Sequence, residues 1–153
     1  MIDKVLFLDI DGVLNSFRSA HAFGEFPHGF DDSNYAKFDH VAVALIRRLC
    51  KDSGAKIVLS SSWRVIHRFE EVGLKLDLPI IDRTPSLNNR GRIRGDEIKY
   101  WLDFNKCSCY AIVDDDGDML EEQLPYFVRT SIENGLSYEN YLQLNSLLEG
   151  NCI

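Results

Sequence analysis

Val5-Leu6-Phe7-Leu8-Asp9-Ile10-Asp11-Gly12-Val13-Leu14-Asn15 is an apolar run that ends on two carboxylates one residue apart, followed by a glycine. An apolar run of this length bounded by a turn signal reads as a buried central strand. Residues i and i+2 of a strand share a face, but Gly12 lets the chain turn at once. Asp9 is therefore expected at the strand's tip and Asp11 on the departing loop. Two acids so placed suit a hard cation, or a nucleophile with a proton donor beside it. An Asp-x-Asp string also ends strands as a plain Asx turn, so the decision rests on the rest of the chain.

With 153 residues, the chain has the length of one domain with one core. A formal charge of -7 argues against a surface built to coat nucleic acid, though not against a local basic site. Cys50, Cys107, Cys109 and Cys152 show no Cys-x-x-Cys spacing, and free thiols of a reducing compartment are the expectation. The N-terminus meets Asp3 and Lys4 without a long apolar stretch, and no run suits a membrane span. A cytoplasmic protein with no membrane partner is expected.

Residues 16–38 scatter Phe17, Phe23, Phe26, Phe30, Tyr35 and Phe38 among glycines, histidines and Pro27 without a period. The segment reads as an irregular flap over the strand's end or a loop pinned by its own aromatics. His21 and His28 within it read as surface residues. Asp39 is an N-cap signal, Val41, Ala44, Leu45, Arg48 and Leu49 recur at helical spacing, and Gly54 terminates. Lys56 to Leu59 is a second strand running into Ser60-Ser61-Ser62, hydroxyls that suit either an anion or an ordinary cap. A helix over about 62–72 and a strand over Pro79 to Asp82 follow.

Arg83, Arg90, Arg92 and Arg94 then fall in twelve residues containing no acid. Arginine's planar fork suits phosphate, although a solvated loop has the same composition. The next helix opens at Gly95-Asp96, with Ile98, Trp101 and Leu102 inward. Tyr110 to Val113 is a fourth strand entering Asp114-Asp115-Asp116-Gly117-Asp118, acids that repel one another unless solvated or neutralised by a cation. Phe127 to Arg129 reads as an edge strand, and Ser137 caps a last helix with Tyr141, Leu144 and Leu148 inward. Alternating strands and helices predict an α/β fold, a five-stranded mostly parallel sheet with helices on both faces. Ligands of such sheets bind at the carboxyl ends of the strands, where Asp9, Asp11, Ser60, Asp82 and Asp114 to Asp116 are all predicted to lie.

The order of Asp9-x-Asp11-Gly12, Ser60, a basic residue at a helix start, and Asp114-Asp115 resembles the haloacid dehalogenase (HAD) superfamily. More narrowly, Leu59-Ser60-Ser61-Ser62-Trp63-Arg64, Arg94-Gly95-Asp96-Glu97-Ile98 and Val113-Asp114-Asp115-Asp116 resemble the small HAD domains of RNA-repair proteins. The phosphatase domain of polynucleotide kinase-phosphatases is related. The resemblance implies a three-layer Rossmann-like HAD fold over 1–153 with little or no cap. It implies Asp9 as nucleophile, Asp11 as general acid and base, Ser60 as phosphoryl ligand and Arg94 as charge balance. Mg²⁺ would be held by Asp9, the Asp11 backbone carbonyl and Asp115, with Asp114 in support, and Gly12, Ser61, Arg64, Arg90 and Arg92 would meet substrate. Arg92 and Lys99 rival Arg94, and Asp114 rivals Asp115. The expected substrate is a phosphorylated nucleic-acid end or a nucleotide. Alternatives are a phosphatase of small metabolites, a response-regulator receiver, whose acidic pair and phosphoacceptor come in another order, and an inactive phosphate-binding module.

Overall fold

In the computed structural model, residues 2–87 and 91–149 are described, and Arg90 lies outside them. Five parallel strands form one sheet in the order β3-β2-β1-β4-β5: β1 (Ile2–Leu8), β2 (Lys56–Leu59), β3 (Ile80–Arg83), β4 (Cys107–Asp114) and β5 (Phe127–Arg129). The strand pleat divides the core. Val5 and Phe7 of β1 join Val58, Ile112, Ile98 and Trp101 on one face. Leu6 and Leu8 join Ile57, Leu59, Ala111 and Val113 on the other. The first face is covered by α6 (Arg94–Phe104), the second by α3 (His40–Ser53), α5 (Phe69–Leu76) and α7 (Tyr138–Leu148). The α/β sandwich is thus the one expected from the alternation of elements.

Four local readings are corrected. First, Ser16 and Ser19 form a reciprocal capping box, 3.1 and 2.8 Å, that starts α1 (Phe17–Phe23) inside the supposedly irregular flap. Asp31 likewise caps α2 (Asp32–Tyr35) through the Asn34 amide. Second, the helix expected over 62–72 is two: α4 (Trp63–Ile66) stops where His67 and Arg68 turn extended, and α5 follows. Third, α3 begins after Asp39 and ends at left-handed Gly54 as expected, but it buries Ala42, Val43, Ile46, Leu49 and Cys50. Val41 and Ala44 face solvent, so the buried stripe is rotated by about one position. Fourth, Cys50 and Cys107 are free thiols but Cys109 is disulfide-bonded.

The register determines the site. Leu8 pairs with Leu59 on one side and Val113 on the other. The next residues on these three adjacent strands, Asp9, Ser60 and Asp114, therefore emerge together at the carboxyl edge. Two cross-links continue the ladder, with the Ser60 amide donating to Leu8 O at 2.8 Å and the Asp9 amide to Val113 O at 3.1 Å. Asp82 departs from the expectation. It lies within β3 opposite Val58, and its Oδ2 accepts the Trp101 indole N–H at 2.7 Å. It anchors α6 instead of facing the edge. Among the described residues no helix is long and apolar enough to cross a membrane.

Candidate active site

Asp9 is buried beyond the end of β1, and one oxygen from each of Asp9, Asp114 and Asp115 lies within 4.8 Å of the others. Arg94, the first residue of α6, reaches into this group. Its Nη1 stands 3.2 Å from Asp9 Oδ1 and 3.2 Å from Asp114 Oδ2, and also donates to the Ser60 carbonyl. The contact with Asp114 lacks hydrogen-bond alignment, so Asp114 Oδ2 stays buried without a hydrogen bond. Ser60 Oγ is buried and unbonded as well. A buried hydroxyl without a hydrogen bond, beside a carboxylate oxygen held only by an ion pair, is what a site built for a ligand leaves behind.

The electrostatics follow from this crowding. Burial raises the Asp9 pKa well above the ordinary carboxylate value, Asp114 raises it further, and Arg94 only partly opposes them. Burial pushes Asp114 up to about 6, again against the pull of Arg94. Burial works against the charge on Arg94, but Asp114, Asp9, Asp118 and Glu97 outweigh it and raise its pKa. Buried acids short of positive charge are the donor set a hard divalent cation fills, so the residues fit Mg²⁺.

Asp114 binds its proton more tightly folded, at about 6, than at its ordinary 3.8. Its contribution to stability is therefore complete below 3.8 and lost as pH rises through 6. Acidification of the metal-free protein through 6 is expected to raise its melting temperature relative to an Asp114→Asn variant. Thermal melts in EDTA at about pH 5 and about pH 7.5 test this, and the opposite sign would contradict a carboxylate whose burial outweighs its pairing with Arg94.

Asp11 stands apart from the acidic trio. Its Oδ1 accepts from Asn15 Nδ2 at 2.9 Å and from Trp63 Nε1 at 3.1 Å. Gly12 has φ of +84°, and a Cβ there would lie 2.4 Å from Asp115 Cγ, so only glycine permits this approach. Thr130 Oγ1 donates to the Gly12 carbonyl at 2.6 Å, tying the turn to the chain beyond β5.

Other expected site residues lie elsewhere. Arg64 is buried, with its guanidinium bonded to Ser61 O, Thr84 O, Pro85 O and the Glu97 carboxylate. Those bonds make it a clamp between loops. Ser61 is buried, its Oγ accepting from the Trp63 amide at 3.3 Å. Arg92 is exposed ahead of α6. Lys99 is exposed and paired with Asp103 at 3.0 Å, so of the three rival bases Arg94 is the one at the acids.

Residues 5–141 match the model of the family described as the HAD domain in Swiss Army Knife RNA repair proteins. The chain belongs to this HAD family. Membership agrees with the parallel sheet and the placement of acids, hydroxyl and arginine at one edge, and it places this HAD domain among HAD-type hydrolases, which typically use Mg²⁺. Neither the comparison with curated proteins nor that with solved structures found a match. Asn15, Trp63 and Thr130 enter the site without having been assigned roles from the sequence. Asn15 and Trp63 lie inside the quoted motifs, and Thr130 carries no local signal.

Proposed function

We propose that this HAD domain is a Mg²⁺-dependent phosphatase working through an aspartyl-phosphate on Asp9, and that it acts on phosphorylated nucleic-acid ends or nucleotides. The observation that carries the reading is Arg94 Nη1 lying 3.2 Å from both Asp9 and Asp114, beside the free Ser60 hydroxyl. Phosphoryl transfer needs in-line positioning and compensation of charge on the equatorial oxygens. Arg94 and Ser60 would hold those oxygens, keeping phosphorus in line with an Asp9 oxygen.

Asp9, Asp114 and Asp115 would hold Mg²⁺, with Asp11 contributing through its backbone carbonyl; its Oδ1 is held by Asn15 and Trp63, and its other oxygen would carry the proton. When bound, the ion would neutralise phosphate charge. Asp9 attacks phosphorus as the ester P–O bond breaks, and Asp11 gives its proton to the departing oxygen. Water then attacks the aspartyl-phosphate, Asp11 takes its proton, and inorganic phosphate leaves with Asp9 restored. Between β1 and α3 the chain has the short helices α1 and α2, which supports a substrate bulkier than a small metabolite.

A phosphate-release screen with Mg²⁺ tests the reading, comparing phosphorylated oligonucleotides, nucleotides and sugar phosphates. Nucleic-acid ends or nucleotides are expected to be hydrolysed and EDTA to stop the reaction. Cleavage confined to sugar phosphates would favour the small-metabolite reading.

A further inference from the structure

A groove of about 420 Å³ opens beside Asp11. Segment 16–38 contributes Phe26, Pro27 and His28 to its lining, and the α4 region contributes Trp63, Ile66 and His67. Pro27 and Trp63 are buried, whereas Ile66 is 82% exposed and His28 is open to solvent. Trp63 stacks on His67 at 5.1 Å and gives its indole N–H to Asp11. The groove thus offers ring and aliphatic faces, with imidazoles and the Ser62 hydroxyl for polar edges. That combination suits a flat heterocycle carrying hydrogen-bonding groups.

Two further observations bear on the occupant. Asp11 lines the groove, and only its Oδ1 is engaged by Asn15 and Trp63. The acid assigned to protonate the leaving group therefore borders the place where that group would rest. A second depression of about 300 Å³ shares Ile66 and His67 with the groove and carries Arg68, Arg83 and Glu70. An aromatic hollow beside one with two exposed arginines matches the alternation of base and phosphate along a strand.

We propose that the groove receives the nucleobase of the terminal nucleotide, and that Arg68 and Arg83 meet the adjoining backbone phosphate. This rests on the phosphatase reading above and narrows its substrate to an end that bears a base. A sugar phosphate leaves the groove unfilled.

The test compares a nucleoside monophosphate, a terminally phosphorylated dinucleotide and ribose 5-phosphate, all with Mg²⁺. The readout is kcat/KM for esters that are hydrolysed and Kd for those that are not. The base is expected to improve either constant by roughly 10-fold or more, chiefly through KM where turnover occurs. Phe26→Ala and Ile66→Ala are expected to shrink that ratio, and Arg68→Gln to shrink the advantage of dinucleotide over mononucleotide. Ile66 and Arg68 are exposed, so their variants stay informative if Phe26→Ala folds poorly.

Hydrolysis at equal efficiency with and without a base overturns the groove assignment and leaves the phosphatase reading standing. Base-dependent binding that the variants erase, with no hydrolysis, upholds the groove and overturns the phosphatase reading. Neither turnover nor base-dependent binding overturns both.

Discussion

Replacing Asp9 by asparagine is expected to cut turnover by roughly 10⁴-fold or more and to leave no phosphorylated protein in an acid-quenched reaction. The amide keeps the shape of the side chain but lacks the anionic oxygen that attacks phosphorus. The fold should persist because the substitution also removes a buried acid whose charge is opposed by burial and by Asp114. The substituted amide would still offer an oxygen to Arg94. The metal-free variant is expected to melt no lower than the parent, so lost activity cannot be ascribed to unfolding. Undiminished phosphate release by a folded variant would remove Asp9 from its role.

That prediction was legible early because strand termini are encoded locally. The run Val5 to Leu8 meets Asp9, the run to Leu59 meets Ser60, and the run to Val113 meets Asp114. Once the strands are parallel neighbours, pairing of Leu8 with Leu59 and Val113 brings the three polar tips to one edge. Asp39 and Gly54 marked the ends of α3 for the same local reason. Its buried face is less legible because Val41, Ala42, Val43, Ala44, Leu45 and Ile46 are all apolar, and such a run hardly fixes the rotation of a helix.

What stayed hidden depends on partners distant in sequence. Arg64, within a stretch suggestive of phosphate binding, is instead engaged by Glu97, 33 residues on, and by the carbonyls of Thr84 and Pro85. Burial lowers its pKa, and the Glu97 carboxylate opposes that shift. Such a pair is weak evidence for net stability but costly to break by removing one partner. It joins the loop after Ser60 to the helix that carries Arg94, which connects a buried ion pair to the position of a site residue. The Trp63 bond to Asp11 spans 52 residues and that from Thr130 to Gly12 spans 118, so no local pattern announces either.

Asp11→Asn separates the two proton transfers. The amide side chain of this variant retains an acceptor for Asn15 Nδ2 and Trp63 Nε1, so the loop should hold its shape. On an alkyl phosphate ester the leaving oxygen needs a proton, and loss of the general acid is expected to cost roughly 10²- to 10⁴-fold in kcat/KM. On p-nitrophenyl phosphate the leaving nitrophenolate is stable without one, so formation of the aspartyl-phosphate should be largely spared. Hydrolysis of that intermediate still needs a base to take a proton from water, and a carboxamide cannot serve. The expected trace is a burst of nitrophenolate stoichiometric with protein, followed by a slow steady phase, with phosphate retained covalently on Asp9. Equal losses on both esters without a burst would mean that Asp11 shapes the loop rather than moving protons. The groove beside Asp11 would then have no chemical link to the bond being broken.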